Sequence, residues 1–294
     1  MRGARAEAPV NTVRLAVVGS PIVHSRSPQL HRAAYDELGL GSYVYERIEI
    51  GAGGLSTWAR ELPDEWRGLS VTMPLKVEAL ELADEVSDVA VLTGGANTLV
   101  FDTHAEHPRI RADNTDVAGI IGALREAGIH EIDRAEVLGA GATAASALAA
   151  IAQLGATEVR LIVRTPPRAA RAVALAERLG MRASVDHLAS WSPDEGVDLV
   201  ASTLPAGASP QLDASRVPDA SALFDVVYDP WPTSLASAWT AASRPVVPGI
   251  HMLIHQAVEQ VRLFTGHSDA TRWPERDRVL RAMREAIDGA RPTP

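Results

Sequence analysis

The sequence predicts an α/β protein made of two units with a cleft between them. Short runs rich in β-branched residues alternate with helical stretches along most of the chain, a pattern typical of parallel sheets covered by helices. From about residue 134 the alternation becomes a βαβ series whose first strand–helix connection is rich in glycine. A chain of 294 residues is long enough for two domains of ordinary size. We therefore expect an N-terminal α/β domain followed by a domain of the Rossmann type.

The first unit is predicted from five β-rich runs and one clear amphipathic helix. The expected strands cover residues 13–18, 43–50, 69–72, 97–101 and 110–112, and the helix covers 28–38. The last two strands form a pair joined by the polar loop 102–108. Pro74 suits the first turn of a further short helix that carries Lys76.

The second unit begins with a connecting helix over residues 116–127. The βαβ series then follows, with strands expected at 136–138, 158–163, 197–202 and 222–227 and helices at 142–154 and 167–179. Two more helices are predicted at 249–264 and 274–287. Residues 1–11 and the C-terminal Arg-Pro-Thr-Pro are expected to be loose tails.

Composition excludes several classes of function. The net charge of −9 argues against nucleic acid or an anionic membrane as a partner. The absence of cysteine excludes disulfides and thiolate chemistry. We find no signal peptide and no apolar run of transmembrane length, so we expect a cytoplasmic protein.

Lysine is the rarest charged residue, because only Lys76 among the 28 basic residues is not an arginine. Arginine carries charge and pairs with carboxylates as lysine does, but its pKa above ~12 keeps it from releasing a proton. A single lysine in an arginine-rich chain is therefore a candidate for proton transfer, although chance alone could leave one there.

The glycine turn at Gly139-Ala140-Gly141-Ala142-Thr143-Ala144 has the form G-x-G-x-x-A between a strand and a helix. The first glycine permits the tight turn, and the second lets the backbone approach a pyrophosphate at the positive end of the helix. An ordinary glycine-rich connection is the alternative. Placed within a βαβ series, the turn favours a dinucleotide site.

The end of the next strand distinguishes the two nicotinamide cofactors. An NAD site places Asp or Glu about 20 residues beyond the glycines, to bind the ribose 2′-hydroxyl. This chain has Arg164, Thr165 and Arg168 there and no carboxylate. Guanidinium groups fit phosphate oxygens, so these residues favour NADP over NAD, unless they are merely solvated residues of a helix start.

Hydroxyls and a carboxylate stand at other ends of strands in the first unit. Ser25 and Ser27 follow the first strand and could bind a small anion, although helix capping alone could explain Ser27. Asp116 is either a helix-start carboxylate or a partner that holds Lys76 charged and in place. Asn97 is polar at a strand start, where asparagine is also a common turn residue.

Eight segments, in order and with matching spacing, resemble the shikimate dehydrogenase family over nearly the whole chain. They lie at 19–31, 70–76, 95–98, 114–116, 139–142, 164–168, 228–235 and 249–256. The resemblance implies the reversible NADP-dependent reduction of 3-dehydroshikimate to shikimate, a step of aromatic amino-acid biosynthesis. It also implies a substrate domain over 1–115, completed by C-terminal helices at 250–294, and an NADP domain over 116–249.

The resemblance also assigns roles to individual residues, with no metal among them. Lys76 takes the catalytic position, with Asp116 beside it. The substrate residues are Ser25, Ser27, Thr72, Asn97, Asp116, Tyr228 and Gln256. The cofactor residues are Gly139, Ala140, Gly141, Ala142, Arg164, Thr165, Arg168, Asp88 and Gly249. The substrate carboxylate is expected to be held by Ser25, Ser27 and Tyr228, which are neutral donors.

The chain departs from the family pattern at several positions. Ser70 and Val163 each stand where the family usually has asparagine, Ala112 replaces a glycine, and residues 201–204 replace Asn-Ala-Thr-Ser. These changes leave open a paralogue that also oxidises quinate or uses NAD, which Arg164 and Arg168 disfavour. A non-catalytic NADP-binding sensor is a third possibility, but a sensor needs no proton donor such as Lys76. A monomer and a homodimer both remain open.

Overall fold

The protein has two six-stranded sheets, one in each half of the chain. The computed structural model describes residues 12–102, 109–267 and 272–289. The tail predicted at 1–11, the C-terminal Arg-Pro-Thr-Pro and residues 103–108 of the predicted loop lie outside the described residues.

The first sheet is mixed, with the strand order β2-β1-β3-β5-β6-β4. The strands β1 to β3 are parallel, whereas β5 is antiparallel to both β3 and β6. Its strands are β1 (Val13–Gly19), β2 (Tyr43–Glu49), β3 (Trp66–Val71), β4 (Glu85–Val86), β5 (Thr98–Asp102) and β6 (Arg109–Asp113). The helices of this half are α1 (Ser27–Glu37), α2 (Leu55–Arg60), α3 (Lys76–Leu82) and α4 (Asp88–Thr93).

The second sheet is entirely parallel, with the order β12-β11-β10-β7-β8-β9. Its strands are β7 (Arg134–Leu138), β8 (Glu158–Val163), β9 (Arg182–His187), β10 (Leu199–Ser202), β11 (Ala222–Asp225) and β12 (Val246–Pro248). Its helices are α5 (Asp116–Glu126), α6 (Ala142–Gln153), α7 (Ala170–Arg178) and α8 (Ser234–Ala241). This doubly wound arrangement confirms the predicted fold class.

Two C-terminal helices, α9 (Gly249–Phe264) and α10 (Arg276–Asp288), return to the first half of the molecule. Val258 and Val261 of α9 and Met283 of α10 share one buried core with Leu15 of β1 and Leu30 of α1. The first sheet is thus covered on one face by α1, α9 and α10. Helices α5 and α9, which join the two halves of the chain, pack against each other.

Several element boundaries differ from the prediction. The stretch predicted as one helix over 167–179 begins as a 3-10 turn over Pro166–Ala169 and becomes α-helical only at Ala170. Two consecutive prolines lack the amide hydrogens that an α-helix would use. Pro74 lies before α3 rather than in its first turn, because Leu75 is the residue that caps the helix.

Candidate active site

Lys76 and Asp116 form a largely buried ion pair between the starts of two helices. Each is the first residue of a helix, Lys76 of α3 and Asp116 of α5. Nζ of Lys76 donates to Oδ2 of Asp116, and their side chains are only 13% and 3% exposed. A charge pair so well screened from water holds the ammonium in one place, which is what a proton donor needs.

The other oxygen of Asp116 is held by Asn97. Nδ2 of Asn97 donates to Oδ1 of Asp116 at 2.8 Å and to Oε1 of Gln256 at 3.0 Å. Oδ1 of Asn97 accepts the backbone N–H of Thr115 at 2.8 Å, which fixes the orientation of the amide. The structure therefore brings Lys76, Asp116, Asn97 and Gln256 together, and both carboxylate oxygens of Asp116 are hydrogen-bonded.

A cavity of about 270 Å³ lies above this network, at the carboxyl ends of β1 and β3. Parallel strands direct ligands to this edge of a sheet. Every side chain predicted to bind substrate lines the cavity: Ser25, Ser27, Thr72, Asn97, Asp116, Tyr228 and Gln256. Seven polar side chains from both halves of the chain, together with Lys76, surround a space suited to a small polyhydroxylated ligand.

A buried polar network forms part of the cavity wall, where Ser70 and Gln260 line the cavity. Ser70 accepts a hydrogen bond from the Tyr45 hydroxyl at 2.6 Å and donates to Oε1 of Gln260 at 2.8 Å. Nε2 of His31 lies 3.2 Å from the same Gln260 oxygen, and its ring stacks on Tyr45 with centroids 3.9 Å apart. Burial lowers the pKa of His31 to about 3, so the imidazole is neutral and Nε2 must carry the proton that Gln260 accepts.

A second cavity, of about 630 Å³, lies along the carboxyl edge of the second sheet. It is lined by the glycine turn, Gly139 to Ala142, and by Arg164, Thr165 and Arg168. The backbone of Gly139 has φ +113°, and a β-carbon there would lie 2.4 Å from Oγ1 of Thr203. A β-carbon on Gly141 would meet nothing within 4 Å, so the start of α6 faces open space. These residues fit a pyrophosphate at a helix N-terminus and a second phosphate beside the guanidiniums.

The two cavities meet at Lys76. Both are lined by Thr72, Lys76, Thr143 and Val226, so the only lysine stands where a ligand in one cavity would face a ligand in the other. An amine at such a junction can exchange a proton with a group reduced or oxidised across it.

Comparison with known proteins gives the same picture. The profile of the shikimate dehydrogenase substrate binding domain matches residues 17–99, and that of the shikimate 5'-dehydrogenase C-terminal domain matches 249–268. The shikimate dehydrogenase (NADP(+)) of Dinoroseobacter shibae is 39% identical over 250 residues, covering 82% of this chain and 87% of the relative. The chain belongs to the shikimate dehydrogenase family.

Solved structures extend that similarity to the whole fold. The shikimate dehydrogenase of Mycobacterium tuberculosis is 39% identical, with a TM-score of 0.78 over 94% of this chain and 99% of that one. The shikimate 5-dehydrogenase of Thermus thermophilus, in complex with NADP(H) and shikimate, is 31% identical, with a TM-score of 0.78 over 94% and 100% of the two chains.

Two residues expected at the cofactor do not line the cavity of about 630 Å³ that holds the glycine turn. Asp88, at the start of α4, lines a separate cavity of about 790 Å³ with residues of α5, α9 and α10. Gly249 lines the substrate cavity. A β-carbon on Gly249 would lie 1.9 Å from the carbonyl oxygen of Val226, so only glycine fits there. The structure thus brings Gly249 to the junction and leaves Asp88 elsewhere.

Two residues of the junction had no role assigned from the sequence. Thr143 is a variable position of the G-x-G-x-x-A turn, and Val226 is the residue after β11. Thr143 could have been inferred from the turn, because it sits in the first turn of the helix that faces a dinucleotide. Val226 has an apolar side chain, and nothing in the sequence around it indicates a place in a binding site.

The departures from the family pattern now have local explanations. Ser70 bridges Tyr45 and Gln260, a position where its short side chain suits the surrounding hydroxyl and amide. Val163 lines the cofactor cavity without offering a hydrogen bond. Ala112 is buried in β6, opposite Leu99. Thr203 donates to the carbonyl of Leu138 at 2.8 Å beneath the glycine turn.

A metal site would need a cluster of ligating side chains, and a membrane span would need a long apolar helix. Within residues 12–102, 109–267 and 272–289, no three or more side chains cluster in a way that could hold a metal ion. The helices of this same part of the chain include none with the length and apolar character that a membrane crossing requires.

Proposed function

We propose that this chain catalyses the reversible NADP-dependent reduction of 3-dehydroshikimate to shikimate. The observation that carries the proposal is the junction at Lys76, where a cavity lined by the family's substrate residues meets a cavity lined by a dinucleotide turn. The Dinoroseobacter shibae relative bears the name of that NADP-dependent enzyme.

One domain binds the substrate and the other binds the cofactor. Residues 1–115 and the helices of 250–294 form the substrate domain, and residues 116–249 form the cofactor domain. The shared core of α1, α9 and β1 supports the first assignment, and the parallel sheet with its glycine turn supports the second.

The substrate binds with its carboxylate at the hydroxyls of Ser25, Ser27 and Tyr228. Its ring hydroxyls face Thr72, Asn97, Asp116 and Gln256. The amide of Asn97 donates to Thr115, Asp116 and Gln256, and the carboxylate of Asp116 has further lone pairs with which it can accept a substrate hydroxyl.

The cofactor is held by the backbone of Gly139 to Ala142 and, at its 2′-phosphate, by Arg164, Thr165 and Arg168. When bound, NADPH supplies the hydride that reduces the ring carbonyl. Gly249 and Val226 shape the wall where the two ligands meet, and Thr143 closes it from the cofactor side.

Lys76 supplies the proton. In the direction of reduction its ammonium donates to the oxygen of the carbonyl as that oxygen gains negative charge, and in oxidation the amine takes the proton back. Asp116 keeps the ammonium in position and charged before the transfer. The side chain is well shielded from solvent, so the transfer is made within a site that largely excludes water.

A cytoplasmic location and a monomeric or homodimeric state complete the proposal. The lack of cysteine suits a reducing compartment, and the charge of −9 disfavours nucleic acid as a partner. Light scattering of the purified protein would measure its assembly directly.

The proposal is tested by following reduced nicotinamide absorbance with shikimate and with quinate, each with NADP and with NAD. We expect fastest turnover with shikimate and NADP. Equal kcat/KM for quinate would indicate the broader paralogue, and cofactor binding without any turnover would indicate a sensor.

Cofactor choice has its own test at the two guanidiniums. The double variant Arg164→Gln, Arg168→Gln should raise KM for NADP by about 10–100-fold, with little change for NAD, because each charge-assisted contact to phosphate is worth roughly 1.5–3 kcal/mol in isolation and the two overlap. Arg171→Gln is the matched control, an exposed residue that does not line the cofactor cavity. An unchanged NADP/NAD ratio in the double variant would contradict the assignment.

A further inference from the structure

Two arginines are direct neighbours of Ser25, which lines the substrate cavity at the end where only neutral donors were expected; neither arginine lines the cavity itself. Arg26 follows Ser25 directly in the chain. Arg47 lies on β2, two residues after Tyr45 and therefore on the same face of the strand. Nε of Arg47 donates to the backbone carbonyl of Ser25 at 2.8 Å. Arg26 thus belongs to the loop that brings Ser25 to the cavity, and Arg47 contacts that loop from β2.

The same two charges act on Tyr228, on the other side of this end of the cavity. Burial raises the pKa of the Tyr228 phenol, and the charge of Asp229 adds to that rise. The positive charges of Arg26 and Arg47 oppose that rise, and so does an interaction of the phenol with the backbone of Arg26. A carboxylate bound between Ser25 and Tyr228 would experience the same field.

Neither arginine is neutralised by an ion pair with the described residues. Glu46 is taken by Arg14, with N and O 2.6 Å apart, and Glu49 accepts a hydrogen bond from Ser20 at 2.8 Å. The guanidinium of Arg47 donates to the carbonyl of Ser25 and makes no other hydrogen bond with the residues that the structure describes. Two positive charges therefore lie beside this end of the cavity against one negative charge, that of Asp229 next to Tyr228, in a protein whose net charge is −9.

We propose that Arg47 and Arg26 are positioning residues that attract the substrate carboxylate and orient it toward Ser25, Ser27 and Tyr228. They act through the electric field of their charges at this end of the cavity. Arg164 and Arg168 would do the same for the cofactor phosphate at the far end of the cleft. This inference rests on the proposed function, because it takes the substrate to be an anion.

The test compares charge-removing variants over a range of salt. Arg47→Gln and Arg26→Gln should each raise KM for shikimate by about 5–30-fold while kcat stays within about twofold, since the lost attraction belongs to binding rather than to the chemical step. Wild-type kcat/KM should fall as NaCl rises from about 20 to about 500 mM, and the double variant should lose most of that dependence. Arg47→Lys, which keeps the charge, should recover most of the wild-type KM.

Two controls separate electrostatics from structure. Arg32→Gln removes an exposed charge of α1 that does not line the cavity, and it should change neither KM nor the salt dependence. The methyl ester of shikimate has no carboxylate charge, so its kcat/KM should be the same in wild type and Arg47→Gln. KM for NADP should not move in any of these variants.

The possible failures are distinct. If wild type turns over shikimate with NADP but the Arg47 and Arg26 variants match it in KM and salt dependence, this inference is wrong and the proposed function stands. An equal loss with the methyl ester would also overturn it, because the effect would then be structural. If wild type turns over no shikimate at all, the proposed function itself fails.

Discussion

Asn97 donates a hydrogen bond of 2.8 Å to Oδ1 of Asp116, the carboxylate oxygen that Lys76 does not use. The same amide reaches Gln256 on α9 at 3.0 Å. One buried side chain therefore joins the Lys76–Asp116 ion pair to α9, a helix near the C-terminal end of the chain. Asn97 is only 2% exposed, so its polar atoms depend on these protein partners.

Asn97→Ala should lower kcat/KM for shikimate by roughly 5–150-fold, because a buried polar group left without its partner costs about 1–3 kcal/mol. Asp116 would keep Lys76 but lose its second anchor. Steady-state kinetics at saturating NADP would measure the effect. Gln29→Ala is the control: it removes an amide that donates to the carbonyl of Ala286 at 2.7 Å, away from the cavity, and should leave KM unchanged. Wild-type kinetics in Asn97→Ala would contradict the role given to this network.

The two glycines of the dinucleotide turn should respond differently to the same substitution. Gly139→Ala places a side chain at φ +113° and 2.4 Å from Oγ1 of Thr203, so it should lower the free energy of unfolding by about 1–3 kcal/mol even without cofactor. Gly141 has φ −87° and open space before it, so Gly141→Ala should fold normally and bind NADP at least ~10-fold more weakly. Urea unfolding and calorimetric titration would separate the two effects. Equal unfolding free energies for both variants would count against this reading of the turn.

His31 should give the protein a characteristic sensitivity to acid. Its pKa is lowered by burial to about 3, whereas the unfolded chain binds a proton near its ordinary value of about 6.5. Below about pH 6.5 the unfolded state therefore binds more protons, and stability falls as the pH drops toward 3, by about 1.4 kcal/mol for each pH unit. His31→Phe keeps a ring against Tyr45 but takes no proton. The difference in unfolding free energy between wild type and His31→Phe should shrink from pH 7 to pH 4; a constant difference would contradict the buried neutral histidine.

Much of the fold could be predicted because its periodic elements are long and clearly bounded. Helix α9 occupies Gly249–Phe264 as the sequence predicts, with its apolar residues at helical spacing and Pro248 just before it. Strand β8 occupies Glu158–Val163, also as predicted. Helix α4, over Asp88–Thr93, could not be found in this way: six residues are too few to show a period, and its start depends on Ser87, whose hydroxyl accepts the N–H of Ala90 at 3.2 Å.

The candidate site could be predicted where a distinctive side chain marks the position and less so where only the backbone position matters. Lys76 stands out by composition, and Arg164 and Arg168 by their place after a strand. Val226 meets both cavities through its position after β11, which no side-chain pattern reveals. Asp88 was placed by resemblance alone, and the packing of α4 against α6 carries it to another cavity.

The most direct test of the account is the turnover of Lys76 variants. Lys76→Ala should lose about 10²–10⁴-fold in kcat for shikimate oxidation, the usual contribution of a positioned acid–base group, while its affinity for NADP by calorimetry stays unchanged. Lys76→Arg keeps a positive charge beside Asp116 but cannot exchange a proton near neutral pH, so it should be nearly as slow. Near-normal kcat in either variant would show that the proton travels by another route.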